Sequence, residues 1–211
     1  MLKPLRKDQE YNEFVKDFYR KVEDYDWNDV TDNWRGLESI LHRQREKKVR
    51  ELLGKYRQPG RYLDVGCGTG LVLRHLPLGS VGIDLNPRHL ARAGRYVPSA
   101  TLQIGDAEKL QFPNESFSVA VCTEVLEHLV YPEMAVAEIG RVLKLGGLFI
   151  GTTPKKSWLW RFRWLSSTHY HNEPFHNEYE KQELEQLFAG WTIVELGTIF
   201  FRSSFFFVLK K

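Results

Sequence analysis

Cysteine is scarce in this chain of 211 residues, which has two, Cys67 and Cys122. Two isolated thiols make no disulfide framework, and their spacing fits no zinc site. Both read as small buried residues in a reducing compartment. Net charge is scarce as well. Thirty basic residues against 27 acids leave a formal +3, too little for a nucleic-acid polyelectrolyte. No run reaches the ~18 apolar residues of a spanning helix. The opening stretch, MLKPLRKDQEYNEF, holds no signal-peptide core. These absences point to a soluble, cytoplasmic protein. What is present is 42% apolar residues and 13% aromatics, the composition of a folded globular chain.

Two phosphate-binding patterns are missing from the most informative stretch, Arg61 to Asp84, RYLDVGCGTGLVLRHLPLGSVGID. A dinucleotide fingerprint starting at Gly66 and Gly68 needs glycine at position 71, where Leu71 stands. A P-loop needs a Gly-Lys-Ser/Thr ending, which is also absent. The stretch itself reads as a buried strand over Tyr62, Leu63 and Val65 and a turn with Gly66, Gly68 and Gly70. A helix follows from residue 69, its free N–H groups facing the loop. Glycines there let the backbone lie directly against a ligand. Asp84 ends the second strand, where an acid can accept hydrogen bonds from both hydroxyls of a ribose. The pattern suits a nucleoside without a pyrophosphate.

LDVGCGTG and GIDLN resemble motif I and its successor in the class I S-adenosylmethionine-dependent methyltransferases. Phe112 to Val119 leads into Thr123-Glu124-Val125-Leu126-Glu127-His128-Leu129, and Arg141-Val142-Leu143-Lys144-Leu145-Gly146-Gly147 follows. Both blocks resemble the type 11 methyltransferases of quinone biosynthesis, with Leu145 where proline is usual. The resemblance implies a Rossmann-like, doubly wound α/β sheet of seven strands in order 3-2-1-4-5-7-6, the last antiparallel. It also implies S-adenosylmethionine as cofactor and S-adenosylhomocysteine as product. The implied cofactor set is Asp64, Gly66, Cys67, Gly68, Gly70, Asp84, Leu85, Asp106, Ala107 and Thr123. Within it, Asp106 would accept from the adenine amino group, the Ala107 N–H would donate to the ring, and Asp64 would lie near the methionyl ammonium. Apart from the resemblance, Asp106 reads as a helix N-cap.

Alternation of strand and helix from residue 61 marks a parallel sheet with crossover helices. Strands are expected at 61–65, 80–85, 100–105, 117–123 and 147–153, with helices at 69–76, 87–95, 132–143 and 180–189. Two tightly joined strands, Trp191–Phe201 and Ser203–Leu209, must run antiparallel. Residues 1–60 are expected to form two helices around a turn at Asp24–Gly36, capping a unit of residues 61–211.

Glu124, Glu127 and His128 would share one face of a helix and could hold a divalent cation, as such a pattern is understood to do in some quinone-pathway and small-RNA 2′-O-methyltransferases. The alternative is that Glu127 and His128 cap or pack a turn. Residues 154–176 interleave Trp158, Trp160, Phe162 and Trp164 with Lys155, Lys156, Arg161 and Arg163. They suit an acceptor cover, with peripheral membrane contact through 155–165 the second reading. His169 or His171 could act as general base. The expected activity is methyl transfer to a small-molecule or lipid-like acceptor. A metal-assisted small-RNA 2′-O-methyltransferase and a non-catalytic cofactor-binding module stay open.

Overall fold

Successive apolar residues of the central strands point to opposite faces, and this builds two cores, one on each face of a single sheet. The computed structural model describes residues 8–22, 26–36, 38–157, 174–199 and 201–211. Three helices come first: α1 (Gln9–Lys21), α2 (Trp27–Asp32) and α3 (Glu38–Lys55). Then follow β1 (Tyr62–Val65), β2 (Val81–Asp84), α4 (Pro87–Tyr96), β3 (Thr101–Ile104), β4 (Phe117–Thr123), α5 (Pro132–Val142) and β5 (Leu143–Pro154). The last elements are α6 (Lys181–Leu187), β6 (Thr192–Ile199) and β7 (Ser204–Lys210). The seven strands lie in the order β3-β2-β1-β4-β5-β7-β6. β1 to β5 run parallel, and β7 is antiparallel to both its neighbours. The expected topology is the observed one.

On β4, Ala120 and Cys122 face one core and Val119 and Val121 the other. α5 closes the first through Ala135, Val136 and Ile139, and α6 through Leu184. α3 closes the second through Val49, Leu52 and Leu53. β7 reads Ser-Phe-Phe-Phe-Val-Leu-Lys and is apolar on both faces: Phe205, Phe207 and Leu209 enter the first core, Phe206 and Val208 the second. A strand buried on both sides needs that continuous apolar run. Each fully buried side chain of this size adds about 1.5–3 kcal/mol of transfer free energy. Opposite Phe207, a Cβ on Gly151 would stand 2.4 Å from the ring, so only glycine fits.

Two expectations need correction. The helix expected at 69–76 is a single 3-10 turn, Leu73–His75. Gly70 holds φ +89° on one side. Leu76 on the other precedes Pro77 and is extended at ψ 159°, as a residue before proline must be. The turn stretch Asp24–Gly36 contains a third helix, α2, because the Asp26 carboxylate accepts from the backbone N–H groups of both Asn28 and Asp29 at 3.1 Å. Leu145, in the place usual for proline, is exposed and leaves β5 unbroken. No helix among the described residues is long and apolar enough to cross a membrane.

Candidate active site

The strand order sets Asp64 on β1, Asp84 at the end of β2, Asp106 after β3 and Glu124 after β4 along one carboxyl edge. Ligands of open α/β sheets bind at that edge. The glycine loop is fixed by its neighbours. The Cys67 N–H donates to the Ile83 carbonyl at 2.8 Å, and the Gly68 N–H to Asp84 Oδ2 at 2.9 Å. Asp84 Oδ1 accepts from the Asn86 N–H at 2.8 Å. Gly66 holds φ +70°, and a Cβ there would stand 2.3 Å from Val125 Cγ2, so the loop after β4 packs directly on the glycine turn. Gly68 holds φ +52°, and a Cβ there would meet nothing within 4 Å. One glycine makes room for the protein and the other faces open space.

Asp64 is 1% exposed, and neither carboxyl oxygen has a partner among the described residues. Burial, followed by the nearby Asp84 charge, pushes its pKa up to about 7. A buried carboxyl without a donor calls for a cation beside it. That orphaned group and the open direction at Gly68 fit a cofactor bearing an ammonium and a sulfonium. Cys67 and Ala107 are buried, and Leu85 and Thr123 are half-buried at the same edge. Burial and the Asp64 charge push the Cys67 thiol upward, leaving it inert.

Asp106 is already engaged. Its Oδ1 accepts from the Glu108 N–H at 2.9 Å, and its Oδ2 meets Lys16 Nζ at 2.7 Å. Lys16 also reaches Glu108 Oε2 at 2.7 Å, and that carboxylate is 1% exposed. Burial lowers the Lys16 pKa, but Asp106 and Glu108 outweigh it and hold the ammonium above its ordinary value. Asn12 Nδ2 donates to the same Glu108 oxygen at 2.8 Å, and Tyr19 Oη lies 2.8 Å from His128 Nδ1. Asn12, Lys16 and Tyr19 stand at i, i+4 and i+7, a polar stripe of α1 laid across the loops after β3 and β4. That spacing was the available signal in the sequence.

From α2, Asn28 is fully buried and donates to the Thr69 carbonyl at 2.6 Å, closing over the glycine loop. Its other amide atom, Oδ1, has no partner among the described residues. From α3, Arg45 Nη2 meets Glu124 Oε2 at 2.8 Å, and Thr152 Oγ1 donates to Glu124 Oε1 at 2.9 Å. Glu108, Asn28 and Arg45 carry no motif, and their partners lie far away in sequence.

The helical face expected for Glu124, Glu127 and His128 does not form. Glu124 is left-handed at φ +54°, and only a 3-10 turn, Leu126–His128, follows. Glu127 is 1% exposed, accepts from Thr153 Oγ1 at 3.2 Å, and is pushed well above the usual carboxylate range by burial, then by Glu124. Among the described residues, no group of three His, Cys, Asp or Glu side chains is placed to hold a metal ion. His169 and His171, with Trp158, Trp160, Phe162 and Trp164, lie outside the described residues.

Residues 63–151 match a family described as a methyltransferase domain. Over 116 residues the chain is 35% identical to 2-methyl-6-phytyl-1,4-hydroquinone methyltransferase 2 of Oryza sativa, covering 51% of this chain and 33% of that protein. Over 99 residues it is 39% identical to phosphatidylethanolamine N-methyltransferase of Cereibacter sphaeroides, covering 42% of this chain and 47% of that one. The chain thus spans a third to a half of these curated relatives. A crystal structure of a Pyrococcus horikoshii protein superposes with TM-score 0.68 at 22% identity, over 82% of this chain and 91% of that one, which shows the shared fold. Residues 63–151 thus match a methyltransferase domain, and the strand order is the one that the resemblance to the class I S-adenosylmethionine-dependent methyltransferases implies.

Proposed function

We propose that the chain binds S-adenosylmethionine across the carboxyl edge and transfers its methyl group to a small-molecule or lipid-like acceptor by direct displacement. The observation that carries this reading is Asp64: a buried, unpartnered carboxyl beside a glycine loop whose middle glycine faces open space. When bound, the cofactor supplies an activated sulfonium methyl. The chain's own task is then to position the two reactants and exclude water. Asp64 would face the cationic methionyl part. Asp84, with each oxygen already fixed by one backbone N–H, would receive the ribose hydroxyls on its remaining lone pairs. Residues 1–60 would act as the cap of the unit formed by 61–211, with α1 and α2 shielding the edge.

The acceptor class is supported by the relatives, whose names state a phytyl hydroquinone and a phosphatidylethanolamine as substrates. The two buried cysteines fit a reducing compartment such as the cytoplasm. Incubation with labelled cofactor and a lipid and quinone extract, followed by mass spectrometry, is expected to show a labelled organic-soluble product. Tight cofactor binding without turnover on any extract would favour a non-catalytic module. Activity confined to small RNA would replace the acceptor class.

The Asp64 reading has a pH signature. Its carboxyl titrates near 7 in the fold against an ordinary 3.8, so the native state holds the proton more tightly than the unfolded chain. Raising the pH from about 4 to about 7 therefore removes stability in the free protein. A bound ammonium needs the ionised form. Affinity for S-adenosylhomocysteine is expected to rise about tenfold per pH unit as pH 7 is approached from below, then level off. Titration calorimetry across that range checks this, and a flat profile matching that of Asp64→Asn would sink the assignment.

A further inference from the structure

Residues 200–203 join β6 to β7, and within them Phe201 and Arg202 hold φ of +48° and +64°. Those are the signs that a type I′ turn requires at both central positions, where Asn and Gly are the unstrained choices. A phenylalanine there crowds its own backbone. Nor is the ring buried, for Phe201 is 83% exposed. A strained backbone carrying an exposed bulky apolar side chain points to a role outside the core.

Position gives that role a direction. Ser204 pairs with Pro154, and the Lys155 N–H donates to the Ser203 carbonyl at 2.8 Å. The turn therefore stands at the carboxyl end of β5, on the edge that holds the glycine loop. Lys155 Nζ lies 5.6 Å from the centre of the Phe205 ring beside it. On the other flank, α1 carries Phe14, 59% exposed, three residues from Tyr11, whose hydroxyl donates to the Pro174 carbonyl at 2.6 Å.

We propose that the Phe201–Arg202 turn is an interfacial anchor that seats this edge of the sheet on an anionic lipid surface. Phe201 enters the boundary between headgroups and acyl chains, and Arg202 and Lys155 meet headgroup phosphates. An aromatic prong beside cations suits a bilayer interface. It is far smaller than the apolar area a stable protein partner would bury. The anchor is independent of methyl transfer, though it would bring a lipid-like acceptor to the edge where the cofactor is proposed to sit.

The test sediments the full chain with vesicles of phosphatidylcholine alone and of an equimolar mixture with phosphatidylglycerol. Binding to the mixed vesicles is expected. The double variant Phe201→Asn/Arg202→Gly gives the turn its preferred residues. It is expected to raise Tm by about 2–6 °C while weakening vesicle binding about tenfold or more. Its affinity for S-adenosylhomocysteine should not change. Absence of binding by the natural chain, equal binding by the variant, or a fall in its Tm would each overturn the anchor. Vesicle binding with no methyl transfer to any acceptor would count against the methyltransferase reading alone.

Discussion

Asp84→Ala is expected to lower the affinity for S-adenosylhomocysteine by about 100-fold to 10,000-fold. Asp84 has two tasks at once. Its carboxylate fixes the glycine loop by accepting from Gly68 at 2.9 Å and from Asn86 at 2.8 Å. It also presents free lone pairs to the proposed ribose. A hydrogen bond to a charged group is worth about 1.5–3 kcal/mol, so two lost to a ligand give about 3–6 kcal/mol, and each 1.4 kcal/mol is tenfold. Asp84→Asn keeps one acceptor and should fall between the two. Calorimetric titration of all three proteins reads the result. An alanine variant within threefold of the natural chain would show that the ribose binds elsewhere.

Lys16→Met should cost about 3–5 kcal/mol of stability, the usual cost of leaving buried charge unpaired. The ammonium sits between Asp106 and Glu108 at 2.7 Å from each, and the Glu108 carboxylate is 1% exposed. Removing the cation leaves two carboxylates facing each other with, among the described residues, Asn12, the Glu108 N–H and the Tyr131 N–H as donors. Adding Glu108→Gln to the variant should recover more than half of the loss, since one buried charge is then gone. Urea unfolding of the single and double variants decides it. A Lys16→Met protein as stable as the natural chain would mean that α1 is held by its apolar side, through Val15 and Tyr11, and not by this pair.

The sheet was legible because its code is local. Short, mostly apolar runs at 62–65 and 117–123 give buried strands, and glycine spacing after Asp64 gives the turn. A strand buried on both faces needs only its own apolar run to announce itself. The site's edge was legible for the same reason, since Asp64 lies next to the end of a readable strand, Asp84 ends one and Asp106 follows one. The N-terminal layer was not. Asn28 reads as a turn residue, yet it crosses 41 positions to reach Thr69. Lys16 lies on α1, yet its partner Glu108 stands in the buried loop after β3, 92 positions away in sequence. Nothing within one turn of either residue encodes the partner, so only the i, i+4, i+7 stripe of α1 hinted at it. The helical face expected of Glu124, Glu127 and His128 failed because a left-handed residue at Glu124 breaks the register that the spacing assumed.

The strand order also governs how the molecule can be assembled as it is synthesised. β6 leaves the ribosome before β7, but its only partner in the sheet is β7, which lies between it and β5. Until Phe205 to Leu209 emerge, the edge of β5 stays open and β6 has nowhere to dock. An open apolar edge of this kind invites pairing with another nascent chain. The delay is one short hairpin long. The order in which the strands are made thus differs from the order in which the sheet can accept them, and the turn at Phe201–Arg202 is the point where the two are reconciled.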